Sequence, residues 1–339
     1  MPVDDAEGTI LGHNIADLEG RRALRKGRRL TAEDLRTLRT LGRRQVYVAC
    51  PEPDDVDEDE AAERLALAAA GKTFRHSKAR TGRVNLYAQE LGLVRVEVST
   101  LGRLNAVDGV TLATLPNHTA VRPGTMVATL KIIPYALSGS VVQEAEALLS
   151  STSDAPKVLS STPLPPRRVG LVLSGSRGAQ ERVTTGFERA LSERLERWGS
   201  TLVEVDFTAV DDDHGVENLA RSLDRQLTAG LDLVVVAGET AIQDRHDITP
   251  LAIEEVGGEI AAFGVPVDPG NLLLLGYRDQ VPIVGAPGCA RSPRRNIVDL
   301  VLPRLLAGDR LETQDFLDWG HGGLLEDVPE RPLPRSRLG

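Results

Sequence analysis

The stretch RRVGLVLSGSRGAQERVTTGFERALSERLERWG, Arg167–Gly199, contains the pattern that decides the fold. Its early part is an apolar run that ends in a serine and a glycine, which predicts a buried β-strand. Apolar residues then recur at helical spacing from Glu181 to Trp198, before a glycine of the kind that ends helices. The stretch therefore predicts a strand, a sharp turn and a helix in succession.

The alternation of strands and helices continues downstream. The runs TLVEVDF and LDLVVVAG predict strands, and GVENLARSLDRQLTAG between them predicts a helix. Thr249 and Pro250 predict the N-cap and the first residue of a further helix. Because strands that alternate with helices are joined by right-handed crossovers, we expect the α/β fold class, as a three-layer α/β/α domain with a mostly parallel sheet.

The N-terminal half has a different pattern, which predicts a smaller region of mixed α and β-rich structure. Thr31 and Asp34 form a capping pair ahead of a leucine-lined helix. We interpret the acidic run EPDDVDEDE as the start of an alanine-rich helix, since first-turn carboxylates favour the helix dipole, rather than as a metal site. From Gly82, short β-branched runs predict a β-rich unit. The chain is accordingly divided into an N-terminal α/β segment (1–53), a helix with a small β-rich unit (54–137), a helix and Pro/Ser linker (138–166), the α/β domain (167–310) and a C-terminal tail (311–339).

Composition restricts the function classes. The chain has 339 residues, of which 41% are hydrophobic and 3% aromatic, and its formal net charge is −9. Few aromatic residues and an excess of acidic side chains argue against nucleic-acid binding. No apolar run approaches the roughly 18 residues that span a bilayer, and the acidic N-terminus is unlike a secretory signal. Cys50 and Cys289 show no paired spacing, which fits a reducing compartment, so we expect a cytoplasmic protein without membrane association.

The first of three strand-to-helix turns in the α/β domain is Ser174–Glu181. Ligands of such sheets bind where strands end and helices begin, so the polar residues of these turns are candidates for a site. This turn holds Gly175, Ser176 and Arg177 but lacks the glycine spacing of a dinucleotide or P-loop site. On its own it does not identify a ligand.

The second turn follows the strand LDLVVVAG and is rich in carboxylates. Glu239, Asp244 and Asp247, together with His246, form a set of ligands that could hold Mg²⁺. The alternative is a solvated polar loop in which these side chains cap local turns.

The third turn lies in VGAPGCARSPRRN, Val284–Asn296. Ser292 and Pro293 predict the start of a helix whose free N–H groups and dipole face the turn, an arrangement suited to phosphate. The neighbouring arginines add charge-assisted hydrogen bonds. Cys289 has no base nearby in sequence, so we interpret it as a small residue in a tight turn rather than as a nucleophile. Upstream, VPVDPGNLLLLG places a Pro-Gly turn ahead of an apolar strand, where Asn271 is either a ligand contact or a turn residue.

In this order, the segments resemble the molybdopterin-binding domain that molybdopterin adenylyltransferases and molybdopterin molybdotransferases share. The resemblance spans about Arg168 to Gly308 and includes the acidic loop AGETAIQDRHDITP, the Pro-Gly ahead of a strand and a Gly-x-Pro-Gly turn before a helix. The opening segment, AEGTILGHNI followed by LRKGRRLTAEDLRTLRTLGRRQVYV, looks like the first block of molybdotransferase-type proteins. The resemblance is closest to bacterial molybdopterin-binding proteins that are sometimes fused to a nucleotidyltransferase for the cofactor.

Two positions depart from the family pattern. The family's Thr-Gly-Gly is Ala237-Gly238-Glu239 here, and its Gly-Asp-Glu is Gly175-Ser176-Arg177. Replacement of an acidic pair by serine and arginine favours anion binding over metal ligation in the first turn.

The resemblance implies that the domain binds molybdopterin or the molybdenum cofactor. The cofactor-binding residues that it implies are Ser174, Gly175, Ser176, Arg177, Gly238, Thr240, Pro269, Gly270, Asn271, Gly285, Pro287, Gly288, Cys289, Arg291, Ser292, Arg294 and Arg295. The arginines would hold the pterin phosphate. Glu239, Asp244 and Asp247 are the implied catalytic residues, and the last two are also candidate Mg²⁺ ligands.

Three functions remain open under this resemblance. The first is insertion of molybdate into molybdopterin or its adenylate, by a molybdotransferase-like enzyme of molybdenum cofactor biosynthesis. The second is a non-catalytic carrier that hands the cofactor to a nucleotidyltransferase or a molybdoenzyme. The third is a nucleotide pyrophosphate hydrolase on a related fold. We expect a homo-oligomer with these small-molecule partners.

Overall fold

The computed structural model describes residues 1–149 and 157–325 and divides the chain into two compact units, Met1–Thr162 and Pro163–Gly339. Two parts of the sequence-based division lie outside the described residues. These are the centre of the predicted linker, 150–156, and the last part of the predicted tail, 326–339.

The first unit combines short strands with helices α1 to α4. Its helices are α1 (Ala32–Thr40), α2 (Glu58–Ala70), α3 (Val98–Asn105) and α4 (Gly139–Leu149). Its strands are β1 (Ile10–Leu11), β2 (Ile15–Ala16), β3 (Arg22–Leu24), β4 (Val48–Ala49), β5 (Asp55–Asp57), β6 (Phe74–His76), β7 (Arg83–Ala88), β8 (Gly92–Val96), β9 (Val110–Thr114), β10 (Ala120–Val121), β11 (Met126–Ile132), β12 (Ala136–Ser138) and β13 (Leu159–Pro163). The largest sheet of this unit has the strand order β6-β7-β11-β9 and is antiparallel.

The start of α1 confirms the predicted capping pair. The Thr31 hydroxyl accepts a hydrogen bond from the Asp34 N–H, and the Asp34 carboxylate accepts one from the Thr31 N–H, at 3.3 and 3.0 Å. This reciprocal pair satisfies two donors that a helix start would otherwise leave unbonded. Leu35 and Leu38 are buried, and Gly42 follows the helix with a φ of 71°.

Helix α2 confirms the interpretation of the acidic run. Asp57 caps the helix by accepting from the Asp59 N–H at 2.9 Å, and Glu58, Asp59 and Glu60 occupy the first turn. The alanine-rich face is fully buried in the core of the unit. The end of the acidic run, Asp57–Glu60, therefore forms a helix start, where its charges are favourable. Earlier in the run, Asp55–Asp57 form β5, which the sequence did not predict.

Part of the predicted linker is a strand, which corrects the sequence interpretation. Residues LSSTP form β13, the neighbour of β8 at the edge of a three-stranded sheet. An edge strand exposes many of its side chains, so its serines and threonines carry little apolar signal. Helix α4, also in this predicted segment, buries Val142, Ala145 and Leu149 in the core of the first unit.

The second unit is an α/β domain around a six-stranded sheet. Its strands are β14 (Arg168–Gly175), β15 (Thr201–Ala209), β16 (Leu233–Gly238), β17 (Glu259–Phe263), β18 (Leu274–Arg278) and β19 (Val281–Gly285). Its helices are α5 (Gln180–Arg197), α6 (Gly215–Thr228), α7 (Ile248–Glu255), α8 (Val298–Leu306) and α9 (Thr313–Leu317). The strand order is β15-β14-β16-β19-β18-β17. The fold class predicted from the sequence is confirmed.

The sheet is mostly parallel, with one antiparallel excursion at its edge. Strands β15, β14, β16 and β19 are parallel neighbours, whereas β18 is antiparallel to both β19 and β17. Asp279 and Gln280 join β18 to β19, and so short a connection permits only antiparallel neighbours. Helices α6 and α7 pack on one face, in a cluster with Val172, Val234 and Ile283. Helix α5 contacts β14 and β15 from the other side.

Two predicted helix starts are wrong. The N-cap of α7 is Asp247 rather than Thr249, because the Asp247 carboxylate accepts from the Ile248 N–H at 2.8 Å. Helix α8 begins at Val298 rather than at Pro293, and the Asn296 side chain accepts from the Val298 N–H at 3.0 Å. The donors expected to face a ligand at Ser292 are therefore not helical.

The beginning of the predicted tail belongs to the second unit. Leu311 and Phe316 are fully buried, and Phe316 lies on α9. Thr313 donates to the Ala261 carbonyl of edge strand β17 at 3.0 Å. Within the described ranges, no helix combines the length and apolar character that a membrane span requires.

Candidate functional site

The ends of three parallel strands lie at one edge of the sheet. Gly175, Gly238 and Gly285 close β14, β16 and β19, and the strand register pairs Ser174 with Gly238 and Val236 with Gly285. Each of the three predicted turns begins at one of these glycines. The topology therefore brings together, at one edge, segments that are far apart in sequence.

A cleft of about 280 Å³ lies at the ends of β14, β15 and β16. Six of the predicted site residues line it: Ser174, Gly175, Ser176, Glu239, Thr240 and Asp247. Val210, Asp211, Ile242, Ile248 and Thr249 complete the lining. The first and second predicted turns thus share one concave surface.

Glu239 is held by donors on both sides of the cleft. Its Oε2 accepts from the Ser176 N–H at 3.0 Å and from the Ser176 hydroxyl at 2.8 Å, and its Oε1 accepts from Arg182 at 2.8 Å. The hydrogen bonds from Ser176 are the main reason that the pKa of Glu239 is lowered, and the charge of Arg182 adds to the effect. Glu239 is therefore a fixed carboxylate at neutral pH.

The glycines of the first two turns allow these strand ends to approach one another. A Cβ at Gly175 would lie 3.0 Å from the Glu239 Cβ, and a Cβ at Gly238 would lie 2.9 Å from the Ser174 hydroxyl. Both distances are closer than ordinary contacts between carbon and its neighbours. The glycines thus leave space for the Glu239 side chain and its hydrogen bonds with Ser176.

The other two candidate carboxylates of the second turn hold the backbone. Asp247 accepts from the N–H groups of Gln243 and Ile248, and Asp244 accepts from the His246 N–H at 2.6 Å. Asp247 lines the cleft, whereas Asp244 does not. Across residues 1–149 and 157–325, no three His, Cys, Asp or Glu side chains are placed to hold a metal ion. The arrangement accounts for these carboxylates as turn and helix caps.

The third predicted turn follows β19 as a short 3-10 helix, Gly288–Arg291, after Ala286 and Pro287. The Arg291 guanidinium lies 5.6 Å from the ring centre of Phe187 on α5, and its side chain passes over Gly186. The side chains of Arg294 and Arg295 are exposed. The turn therefore carries three arginines, and the side chain of Arg291 lies along α5.

A buried arginine holds this turn from beneath. Arg194 of α5 is 3% exposed and donates to the carbonyls of Ala290, Ser292 and Arg294. The same guanidinium donates to the Asp299 carboxylate on α8. These contacts hold residues 292–294 outside any helix, which is why α8 starts later than the sequence predicts.

The Pro-Gly turn supports the start of α8. The Asp268–Pro269 peptide is cis, and the Pro269 carbonyl accepts from the Ile297 N–H at 3.1 Å. Gly270 has a φ of 130°, and a Cβ on it would overlap the Ile297 side chain. Asn271 is exposed beside it. The Pro-Gly turn therefore contacts the residues that lead into α8, and it does not line the cleft.

Cys289 is a half-buried member of the third turn. Burial raises the pKa of the Cys289 thiol, so the thiol stays protonated at neutral pH. The Cys289 carbonyl accepts from the Asn296 side chain at 3.1 Å. This environment favours the interpretation of Cys289 as a small turn residue over a nucleophile.

Three polar residues at this end of the sheet were not predicted from the sequence. Asp211, which lines the cleft, follows β15 in the run DDD, and its place at a strand end was an available signal. Arg182 and Arg194 carry no such signal, because each acts through a partner that is distant in sequence.

Comparisons with known proteins give a family for the opening residues only. Residues 1–50 match the model of a domain of unknown function (DUF8806). No curated protein matches the chain.

Several solved structures resemble the chain. A molybdenum cofactor biosynthesis protein from Pyrococcus furiosus has 14% identity and a TM-score of 0.24, with 91% of this chain and 63% of that chain covered. A molybdopterin biosynthesis MoeA protein from Pyrococcus horikoshii has 15% identity and a TM-score of 0.32, with 91% and 74% covered. The molybdopterin biosynthesis Mog protein from Mycobacterium ulcerans has 21% identity and a TM-score of 0.26, with 41% and 91% covered. The chain thus spans less than two thirds of the first of these proteins.

Proposed function

We propose that the second unit binds molybdopterin or a form of the molybdenum cofactor and acts in the biosynthesis of that cofactor. The observation that carries the proposal is the cleft at the strand ends. It gathers Ser174, Gly175, Ser176, Glu239, Thr240 and Asp247, all of which the resemblance of the sequence to molybdopterin-binding domains assigns to the site.

The cleft suits the ring end of such a ligand. Asp211, Glu239 and Asp247 line it with carboxylates, and Ser176 and Thr240 add hydroxyl groups. Carboxylates accept hydrogen bonds, and a pterin ring carries amino and ring N–H donors along one edge. A volume of about 280 Å³ is near the lower end of the roughly 300–1,000 Å³ found for small-molecule sites. The cleft therefore takes a ring system rather than the whole ligand.

We assign the phosphate of the ligand to the turn that follows β19, Gly288–Arg295, which we call the arginine turn. Three carboxylates in the cleft repel a phosphate, whereas Arg291, Arg294 and Arg295 lie in the turn at the end of the adjacent strand, β19. Arginine binds phosphate oxygens through charge-assisted, often bidentate hydrogen bonds. The site is thus bipartite, with an acidic cleft for the ring and a basic turn for the phosphate.

The chemical step that we favour is insertion of molybdate into the dithiolene of bound molybdopterin or its adenylate. For that step the chain would bind and orient the ligand, with Glu239 and Asp247, which line the cleft, as the candidate catalytic residues. Asp244, the third candidate from the sequence, lies outside the cleft lining and is not part of this proposal. A carrier would use the same binding residues without turnover, and a pyrophosphate hydrolase would need metal ligands.

Native mass spectrometry of the full chain, purified from a cofactor-producing cell, tests the binding. We expect a bound pterin mass. A chain that carries no pterin and takes up no purified molybdopterin in calorimetry would overturn the proposal. Thr240→Trp, which fills the cleft, is expected to abolish uptake. Gln243→Trp is the matched control, because Gln243 is exposed on the same loop outside the cleft lining.

Turnover with molybdate and adenylated molybdopterin separates the three functions. Molybdenum incorporation identifies the transferase, and binding without turnover identifies the carrier. Release of nucleotide without molybdenum incorporation identifies the hydrolase.

A further inference from the structure

We propose that Arg194 is the positioning residue of the arginine turn, Gly288–Arg295, in its role as an anion-binding site. Arg194 draws three carbonyl groups of this turn inward, so that the exposed arginine side chains of the turn are left to face a phosphate-bearing ligand. The N–H groups of Ala290, Ser292 and Arg294 are bonded within the turn and take no part. This inference rests on the proposed function, because it assigns the phosphate of the ligand to this turn.

The contacts of Arg194 with the turn fall on alternate residues. Its Nη1 donates to the Ala290 carbonyl at 3.1 Å, and its Nη2 donates to the carbonyls of Ser292 and Arg294 at 2.8 and 3.2 Å. One buried guanidinium therefore occupies three carbonyl groups within five residues of the turn.

The guanidinium is fixed on the side away from the turn. Its Nε and Nη2 donate to the two oxygens of Asp299 at 3.2 and 3.3 Å, and its Nη1 donates to the Ala190 carbonyl at 3.1 Å. Asp299 also accepts from the Asn296 N–H at 3.0 Å. Because the buried charge is paired and its donors are used, Arg194 is a rigid support between α5 and α8.

The orientation of the carbonyl groups decides what the turn attracts. A backbone carbonyl carries the negative end of the peptide dipole, so exposed carbonyls repel an anion. With the carbonyls of residues 290, 292 and 294 held inward, the outer surface of the turn is dominated by positive groups. Helix α5 adds a second support, since Phe187 and Gly186 hold the Arg291 side chain against the same helix face.

A second buried arginine, Arg304, has ion pairs in place of the main-chain contacts of Arg194. Arg304 of α8 is 7% exposed, and it donates to the carboxylates of Asp309 and Asp315 at 3.0 and 2.9 Å. The partners of Arg304 are these two carboxylates, whereas Arg194 donates to four main-chain carbonyls besides its one carboxylate. Arg304 is thus a matched control for the loss of a buried guanidinium.

The test compares Arg194→Lys with Arg304→Lys in the full chain. Lysine keeps the charge but has no planar fork, so it cannot hold three carbonyls at once. Calorimetry with inorganic pyrophosphate and with molybdopterin measures affinity, and circular dichroism measures the melting temperature. We expect Arg194→Lys to weaken pyrophosphate binding about tenfold and to make its salt dependence shallower. We expect Arg304→Lys to lower the melting temperature comparably and to leave the affinity unchanged.

Each outcome decides one of the two proposals. Pyrophosphate affinity that is unchanged in Arg194→Lys, or equally reduced in Arg304→Lys, overturns the positioning role, as does a wild-type chain that does not bind pyrophosphate. A wild-type chain that binds pyrophosphate but not molybdopterin overturns the proposed function and leaves the role of Arg194 intact. If Arg194→Lys does not fold, Asp299→Asn weakens the anchor while retaining the arginine, and the same loss of pyrophosphate affinity is expected.

Discussion

Arg182 of α5 and Glu239 after β16 form an ion pair at the cleft, with 2.8 Å between Arg182 Nη2 and Glu239 Oε1. Together with the two hydrogen bonds from Ser176, this pair connects a helix to the turns that follow two neighbouring strands. It fixes the shape of the cleft wall before any ligand binds, and it makes the stability of the wall depend on pH.

We expect Glu239→Gln to lower the melting temperature of the second unit at pH 7, and we expect this difference from the wild type to shrink as the pH falls below the ordinary pKa of a glutamate. The pKa of Glu239 is lowered from its ordinary value of 4.5 by the bonds from Ser176 and by Arg182. A carboxylate with a lowered pKa stabilises the folded state above its unfolded pKa, and this contribution is lost as the pH falls through the folded pKa. Thermal melts of both proteins across this range measure the difference. Glu188→Gln, on the exposed side of α5, is the control, and a difference between Glu239→Gln and the wild type that does not change with pH contradicts the assignment.

The double substitution Arg294→Glu and Arg295→Glu is expected to weaken binding of molybdopterin about tenfold or more without lowering the melting temperature. Both side chains are exposed, and charge reversal replaces attraction of the phosphate by repulsion. Calorimetry with molybdopterin measures the effect. The control is Arg22→Glu with Arg25→Glu, which makes the same change of net charge at exposed positions of the first unit. Equal losses in both double variants would mean that net charge, rather than the turn, sets the affinity.

Gly270→Ala is expected to destabilise the second unit by about 3 kcal/mol, because it combines a strained backbone with overpacking. The φ of Gly270 is 130°, and its Cβ would overlap Ile297 at the start of α8. Gly257→Ala separates the two causes: Gly257 has a φ of 78° with no heavy atom within 4 Å of the built Cβ, so it should cost only about 1 kcal/mol. Denaturant unfolding measures both, and similar costs would show that the contact with Ile297 contributes nothing.

Thr31→Ala is expected to destabilise the first unit by about 1 kcal/mol, since it removes the acceptor for the Asp34 N–H at the start of α1. Thr31→Ser keeps the hydroxyl and should restore most of the loss. Urea unfolding followed through the first unit measures the two variants. A serine variant as unstable as the alanine variant would place the cost in the lost methyl group instead of the cap.

Elements with a local cause were predictable from the sequence. The capping pair of α1, the apolar face of α5 and the buried strands β14 and β16 each depend on neighbours within a few residues, and each is confirmed. The short connection between β18 and β19 was also a local signal, in this case for antiparallel strands. We did not use it because we expected the strands of this domain to be mostly parallel.

Features with a distant cause were not predictable. Ser292 and Pro293 form a sound local signal for a helix start, yet the contacts of Arg194 override it from another helix. Arg182 likewise gains its role from a carboxylate that follows a different strand. For the candidate site, the sequence therefore identified residues of the strand ends, whereas the side chains that hold those ends in place emerged only from the fold.

The position of β19 has a consequence for the order of folding. Strand β19 lies beside β16, yet α7, β17 and β18 intervene along the chain. The acidic cleft follows β16 and the arginine turn follows β19, so the two parts of the site meet only after that long segment has been closed into the sheet. For the proposed two-part site, we expect a newly synthesised chain to engage both ends of one ligand only after this closure, so that ligand capture would report that β19 has joined the sheet.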